Sequence, residues 1–202
     1  MTTDVTGRRF SGEDWYAREL VGERFVDCEL VDVDLTEATI TDCAFKGTRF
    51  RNVRLNAARL ERTRLTGCTF ERTSFFDATL VGCKLTGSEL VGCTLLPLTV
   101  DGGDWSFVLL PGADLARATL AGTRMREADL TGVRAAGATL RGLDLSAAEL
   151  SGIDLSGADL RGSDLSALDP RDAELAGAQI DVTQAVVLVT TLGLRVGPDA
   201  PA

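Results

Sequence analysis

From Phe10 to Leu165 every fifth residue is apolar, in one unbroken register. The series opens Phe10, Trp15, Leu20, Phe25, Leu30 and closes Leu145, Leu150, Leu155, Leu160, Leu165, with Ala135 as its one small member. A period of five fits neither a helix, near 3.6, nor a strand, at 2. It belongs to a repeat architecture in which each five-residue unit forms one side of a coil. Two residues before each centre the side chain is usually small or modestly apolar, as at Cys28, Val33, Ala38, Cys43, Thr48, Val53, Ala58, Ala118 and Ala158. Two of every five side chains are therefore expected to point inward and three outward. The pattern predicts a solenoid over 10–180, after an N-terminal tail at 1–9.

The register stops at Asp169-Pro170, and a last partial coil is expected around Leu175 and Ile180. Asp181-Val182-Thr183-Gln184 then reads as a helix start with Asp181 as N-cap, and Gly193 suits a C-terminal cap. Val182, Ala185, Val186, Val189 and Leu192 fall at helical spacing. The segment 181–196 is expected to cover the open end of the solenoid, whose core and strand edges would otherwise be bare, and to serve as a dimerisation surface. The tail 197–202 is expected to be disordered.

The candidate chemistry is sparse. The chain has no His, which removes the commonest general base and metal ligand. Its five cysteines, Cys28, Cys43, Cys68, Cys83 and Cys93, all occupy the small inward position and show no CxxC spacing. They read as small core residues, reduced and without metal, which suits a reducing cytoplasm. No catalytic residue, cofactor site or metal site is expected. Asp101-Gly102-Gly103-Asp104 lacks the spacing of a calcium loop; beside Pro97, Leu98 and Pro111 it is expected to form a local bulge or kink. No apolar leader opens the chain and no run approaches a membrane span, so a cytoplasmic protein with no membrane partner is expected.

Charge is unevenly placed. Residues 46–75 carry eight basic and two acidic residues, whereas 1–45 carry four and eleven, and the chain as a whole has a net charge of −9. The basic belt comprises Lys46, Arg49, Arg51, Arg54, Arg59, Arg62, Arg64 and Arg72. The global charge would repel DNA, so no direct nucleic-acid binding is expected.

The unit Ala158-Asp159-Leu160-Arg161-Gly162 carries an A(D/N)LXX signature, and the chain resembles the pentapeptide-repeat family over about four fifths of its length. The resemblance implies an all-β solenoid, a right-handed quadrilateral β-helix with four pentapeptides per coil. About eight coils at the ~4.8 Å strand spacing would make a rod roughly 40 Å long. Residues 20 apart then become vertical neighbours, so that Arg49 would lie by Glu29 and Arg54 by Asp34. Asp181-Val182-Thr183-Gln184-Ala185-Val186, Leu192-Gly193-Leu194 and Leu95-Leu96-Pro97-Leu98-Thr99 are similar to the MfpA/Qnr group, DNA-mimicking proteins that interact with DNA gyrase. This resemblance implies a gyrase partner, protection from fluoroquinolones or natural gyrase poisons, and a homodimer joined end to end by the C-terminal helix. No off-register insertion matches the projecting loops of Qnr proteins.

The expected partner-binding surface is acidic. Glu89, Asp129, Glu149 and Asp169 would form one column, with Asp144, Asp154, Asp159 and Asp164 beside them. Like charges stacked on neighbouring strands are destabilising, and local stability gives no evident reason for them. Duplex DNA carries one charge per ≈ 1.7 Å, so a ~40 Å rod would need about 24 charges to match it. Mimicry must therefore rest on local faces rather than on net charge. The alternative is a scaffolding repeat protein with no topoisomerase partner.

Overall fold

The computed structural model describes residues 4–197. The chain winds into a four-sided parallel β-helix closed by one C-terminal helix, α1 (Val182–Thr191). Every strand pairs with the one 20 residues on, as in Phe25↔Phe45, Leu30↔Phe50 and Leu20↔Ile40.

Four faces follow one another around each coil. Face 1 carries Asp4–Thr6, Arg24–Val26, Ala44–Lys46 and Arg64–Thr66. Face 2 runs from Arg9–Ser11 through Glu29–Val31, Arg49–Arg51 and Thr69–Glu71 to Glu89–Val91. Face 3 is held by isolated bridges such as Asp34↔Arg54 and Arg134↔Asp154. Face 4 is the most regular, with seven strands from Glu19–Val21 to Thr139–Arg141. Its ladder continues through Asp159 to Gln179.

The inward positions behave as the period requires. Every centre from Phe10 to Leu165 is at most 6% exposed. The aromatic centres stack, Phe25 on Phe45 at 4.7 Å and Phe50 on Phe70 at 4.6 Å. Around Ala135 the missing bulk is met by large residues at the second inward position, Leu143 and Ile153, and the apolar space left is about 20 Å³, the size of one water. The interior is a packed core.

The second inward position does more than save space. Thr63 Oγ1 donates to Ile40 O at 3.1 Å and Ser163 Oγ to Leu140 O at 2.8 Å. The thiols of Cys68, Cys83 and Cys93 make the same contact to Phe45, Leu60 and Phe70 carbonyls at 3.4 Å. The cysteines thus act as weak donors in a place that Thr and Ser also fill. All five are unbridged; four are buried and Cys93 is half-buried. Burial pushes the Cys68 thiol up to about 12 and those of Cys83 and Cys93 to about 11.

From Gly7 to Gly162 every corner but that at Pro97 turns on a residue two after the centre, with positive φ. Gly serves at many of them; Ala17, Asn52, Phe107 and Ala147 stand at others. The corner at Pro97 differs. Leu96–Pro97 is cis, and the Asp77 N–H donates to Pro97 O, whereas the corner below bonds Ala57 N–H to Phe76 O. The distortion stays local: Ala78–Val81 still pairs with Leu98–Asp101 in the 20-residue register. Gly103 takes φ +92, and a Cβ there would lie 2.1 Å from Cys83 O.

The solenoid begins at Asp4, within the stretch expected to be a tail, because Val5 extends the five-residue register and pairs with Phe25. In this first coil the second inward positions are Arg8, Glu13, Arg18 and Glu23. The guanidinium of Arg8 lies 4.6 Å from the Phe10 ring and that of Arg18 4.5 Å from Trp15, whose Nε1 donates to Glu13. Charged side chains therefore fold over the aromatic end of the core, covering it without inviting another coil.

At the other end α1 plugs the core. Asp181 accepts from Gln184 N, and Gln184 Oε1 accepts from Asp181 N, a reciprocal capping box. Gln184 and Leu188 are the residues that α1 buries. Gln184 Nε2 donates to Leu160 O at 2.6 Å and Ser163 O at 2.7 Å, satisfying carbonyls that no further coil pairs. The stripe read from helical spacing faces the other way: Val182 is 82% exposed, and Val186 and Leu192 are also exposed. Ala185 and Val189 are half-buried. Gly193, φ +87, follows the C-cap Leu192 as expected. The expected disordered tail falls outside the described residues, except for Gly197.

Candidate partner-binding surface

The acidic residues sit one position before a centre. Five residues along the chain is a quarter of a coil, so sequence neighbours point in four directions. Glu89, Asp129, Glu149 and Asp169 belong to face 2; Glu89↔Leu109↔Asp129↔Glu149 are bridged in one column. Asp144 and Asp164 are stacked on face 1, and Asp154 stands below Glu174 on face 3. Asp159 lies on face 4, between Thr139 and Gln179. Face 4 is opposite face 2, so the eight residues do not form one acidic surface. Faces 1 and 2 bring six of them to adjoining sides of the rod.

Local stability does supply a reason for these carboxylates. All but Glu89 accept the backbone N–H two residues on, across their own turn: Asp129 from Thr131 at 3.0 Å, Asp154 from Ser156 at 2.9 Å, Asp159 from Arg161 at 3.3 Å, Asp164 from Ser166 at 2.9 Å and Asp169 from Arg171 at 2.9 Å. Asp144 and Glu149 take both the N–H and the hydroxyl of Ser146 and Ser151. These are Asx-type turns. The consensus Asp caps the corner that follows it and offsets the repulsion of its vertical neighbour. Glu89, whose Leu90 is followed by Val91 and Gly92, lies on a strand.

Ion pairing divides the set further. Asp159 is held by Arg161 at 2.7 Å and Arg141 at 3.7 Å, and the bond from Arg161 lowers it to about 2. Asp144 meets Arg124 at 3.9 Å, and Asp169 meets Arg171 at 3.7 Å. Hydrogen bonds from Ser146 and Ser156 hold Asp144 and Asp154 below the usual carboxylate range. Among the described residues Glu89, Asp129, Glu149, Asp154 and Asp164 have no cation within 4.0 Å.

The basic belt pairs only in part. Arg54 meets Asp34 at 2.6 Å and pulls its carboxyl down to about 2. Arg62 clasps Asp42 with two bonds, 2.8 and 2.9 Å. Arg49 is the vertical neighbour of Glu29, as the 20-residue step requires, but Glu29 accepts from Arg9 at 3.1 Å instead. Lys46, Arg49, Arg51 and Arg64 are without an ion pair among the described residues. The sequence does not show Gln184 as the helix anchor. Its capping box with Asp181 was the available signal, since D-x-x-Q is one form of that motif.

Among the described residues no group of three or more His, Cys, Asp or Glu side chains could hold a metal ion, and no helix is long and apolar enough to cross a membrane.

Family models agree with this geometry. A model described as a pentapeptide repeat region matches residues 23–95, and one described as pentapeptide repeats, in eight copies, matches 109–146, 138–169 and 153–181. Comparison with curated protein sequences gives no match. Among solved structures, a trypsin-treated variant of QnrB1, a plasmid-mediated fluoroquinolone resistance protein, superposes with a TM-score of 0.89 at 22% identity, covering 96% of this chain and 98% of that one. A second trypsin-treated QnrB1 variant gives 0.75 at 21% identity, covering 96% and 100%. Register, corner geometry and family models agree that the chain belongs to the pentapeptide-repeat family.

Proposed function

We propose that this protein binds DNA gyrase as a DNA mimic, in competition with DNA, and so protects the enzyme from quinolones or natural gyrase poisons. The observation that carries the reading is the run of carboxylates at one end of a rigid rod that have no ion-pair partner among the described residues. Asp129 and Glu149 are stacked on face 2 at the strand spacing of ~4.8 Å, and Asp164 stands on the adjoining face 1. The fold likeness to a fluoroquinolone resistance protein supports it. The proposed mechanism requires no catalysis: the carboxylates occupy cationic ground that DNA phosphates would take, leaving less gyrase–DNA complex for a drug to trap. An intracellular topoisomerase partner places the protein in the cytoplasm.

The turn-capping role of the same carboxylates favours the scaffold reading, because it explains them without a partner. A supercoiling assay separates the two. Wild-type protein is expected to inhibit gyrase, less so as salt rises and the Debye length shortens. The triple variant Asp129→Asn, Glu149→Gln, Asp169→Asn is expected to fold, since an amide oxygen still accepts the turn N–H, and to lose inhibition. Equal inhibition by the triple variant would move the site elsewhere on the rod. No inhibition by wild type would leave the scaffold.

The same reading includes a homodimer through the outward stripe of α1. Val182, Val186 and Leu192 are exposed, and Leu194 and Val196 extend the patch at 59% and 57% exposure. Joining two such ends would bury it and give a rod of about 80 Å from two ~40 Å solenoids. Light scattering is expected to give twice the chain mass for wild type and the single-chain mass for Val186→Glu. A monomeric wild type would make α1 a cap alone.

A further inference from the structure

Faces 1 and 2 carry three patches in series along the rod. At the third coil Lys46, Arg49 and Arg51 project without ion pairs among the described residues. Five coils further on, on the same two faces, are Asp144 and Glu149, with Asp164 one coil beyond. Arg49 and Glu149 share one column through Thr69, Glu89, Leu109 and Asp129, so they are about 24 Å apart at the ladder spacing. Between them, astride the midpoint of that column, lie exposed apolar side chains: Val91 at 49%, Phe107 at 49% and Leu109 at 41%.

Phe107 is unusual on two counts. It occupies a corner position with φ +60, which Gly fills at many other corners, and its ring is half in water. A bulky residue in the left-handed region is disfavoured, and an exposed ring contributes little burial to offset that. Nothing among the described residues accounts for an aromatic residue there.

We propose that these two faces pair side by side with a second copy of this chain, running antiparallel. A two-fold axis between the levels of Glu89 and Leu109 carries the third coil of one copy onto the eighth of the other. Lys46, Arg49 and Arg51 then oppose Asp144 and Glu149 at both ends, with Asp164 one ladder step beyond. Val91 of each copy meets Phe107 and Leu109 of its mate at the centre. The arrangement is isologous, so one set of residues satisfies both halves, and an apolar centre with a charged rim is the anatomy of a specific interface. It does not use the outward stripe of α1, and it requires no topoisomerase. It also covers Glu149 and Asp164, so the lateral pair would withhold part of the acidic surface.

The test is sedimentation velocity on the full chain in the Val186→Glu background, which removes association through α1. The weight-average mass is expected to double at about 0.05 M salt and to fall back at about 0.5 M, where charge attraction is screened. Lys46→Glu with Arg49→Glu, and separately Glu149→Lys with Asp164→Lys, are each expected to remain single chains, since both rims become repulsive. An equimolar mixture of the two is expected to recover the doubled mass, because each reversed rim meets its complement. Circular dichroism melts establish that both variants fold; should either not, Leu109→Glu, which sets two carboxylates near the axis, is expected to abolish pairing on its own. A parent that stays single at low salt, a mixture that does not associate, or a Leu109→Glu variant that still pairs overturns the proposal.

Discussion

Phe50→Ala is expected to cost about 3–5 kcal/mol of unfolding free energy, the range for truncating a buried aromatic. Phe50 is 2% exposed and pairs vertically with Leu30 and Phe70. Its ring stacks on Phe70 at 4.6 Å and meets Phe45 edge-on at 5.4 Å. Removing it opens a hole between two coils that the backbone cannot close, because the strands above and below are fixed at the ladder spacing. In a solenoid the damage falls on nearest-neighbour contacts, so the loss is felt at the interfaces with the coils on either side. Urea denaturation followed by circular dichroism measures it. Phe76→Ala is the internal control: that ring is 51% exposed, and the change should stay within about 0.5 kcal/mol. A shift below about 1 kcal/mol for Phe50→Ala would mean that the fifth position is not the core position.

Gly103→Ala is expected to destabilise by about 3 kcal/mol, overpacking and left-handed strain acting together. The added Cβ would lie 2.1 Å from Cys83 O, 2.9 Å from Cys83 N and 3.0 Å from its carbonyl carbon, all main-chain atoms of the coil below. No side chain can swing aside to relieve this, so one coil must move away from the next. The preceding residue isolates the two terms. Gly102 has φ +65 and nothing within 4 Å of its would-be Cβ. Gly102→Ala should therefore cost only the conformational term, about 1 kcal/mol. Thermal melts of the two variants decide the matter; equal losses would show that the close approach of Gly103 to Cys83 carries no energetic weight.

The contrast between these adjacent glycines marks how far the sequence reaches. Gly102 stands two after a centre, where Gly12, Gly22 and Gly82 also stand, so its role is visible in the period. Gly103 occupies a position that elsewhere takes Ala, Thr or Cys, and the nearby Pro97 hints only that something local departs. Its reason is the backbone of a residue 20 places away. The cysteines divide in the same manner. Their inward place follows from counting by fives, but their bonds to carbonyls one coil below depend on where the turn leaves those carbonyls. The start of the solenoid at Asp4 was within reach of the period, since Val5 is in register, yet one apolar residue in a polar stretch is a weak signal.

The sequence by itself determined the five-residue repeat, the inward and outward positions, the single mid-chain irregularity and the helix boundaries near 181 and 193. These are local or strictly periodic, and side-chain chemistry alone writes them. The tertiary structure decided what depends on rotation about the axis and on contacts between coils. It set Asp144, Glu149, Asp154 and Asp159 on four different faces, because each five-residue step turns the chain by a quarter. It gave Glu29 to Arg9 and left Arg49 without an ion pair among the described residues, although both arginines are vertical neighbours of that carboxylate. It turned Gln184 inward and Val186 outward on α1, against their hydropathy, because the last coil presents unpaired carbonyls that only a hydrogen-bond donor can satisfy.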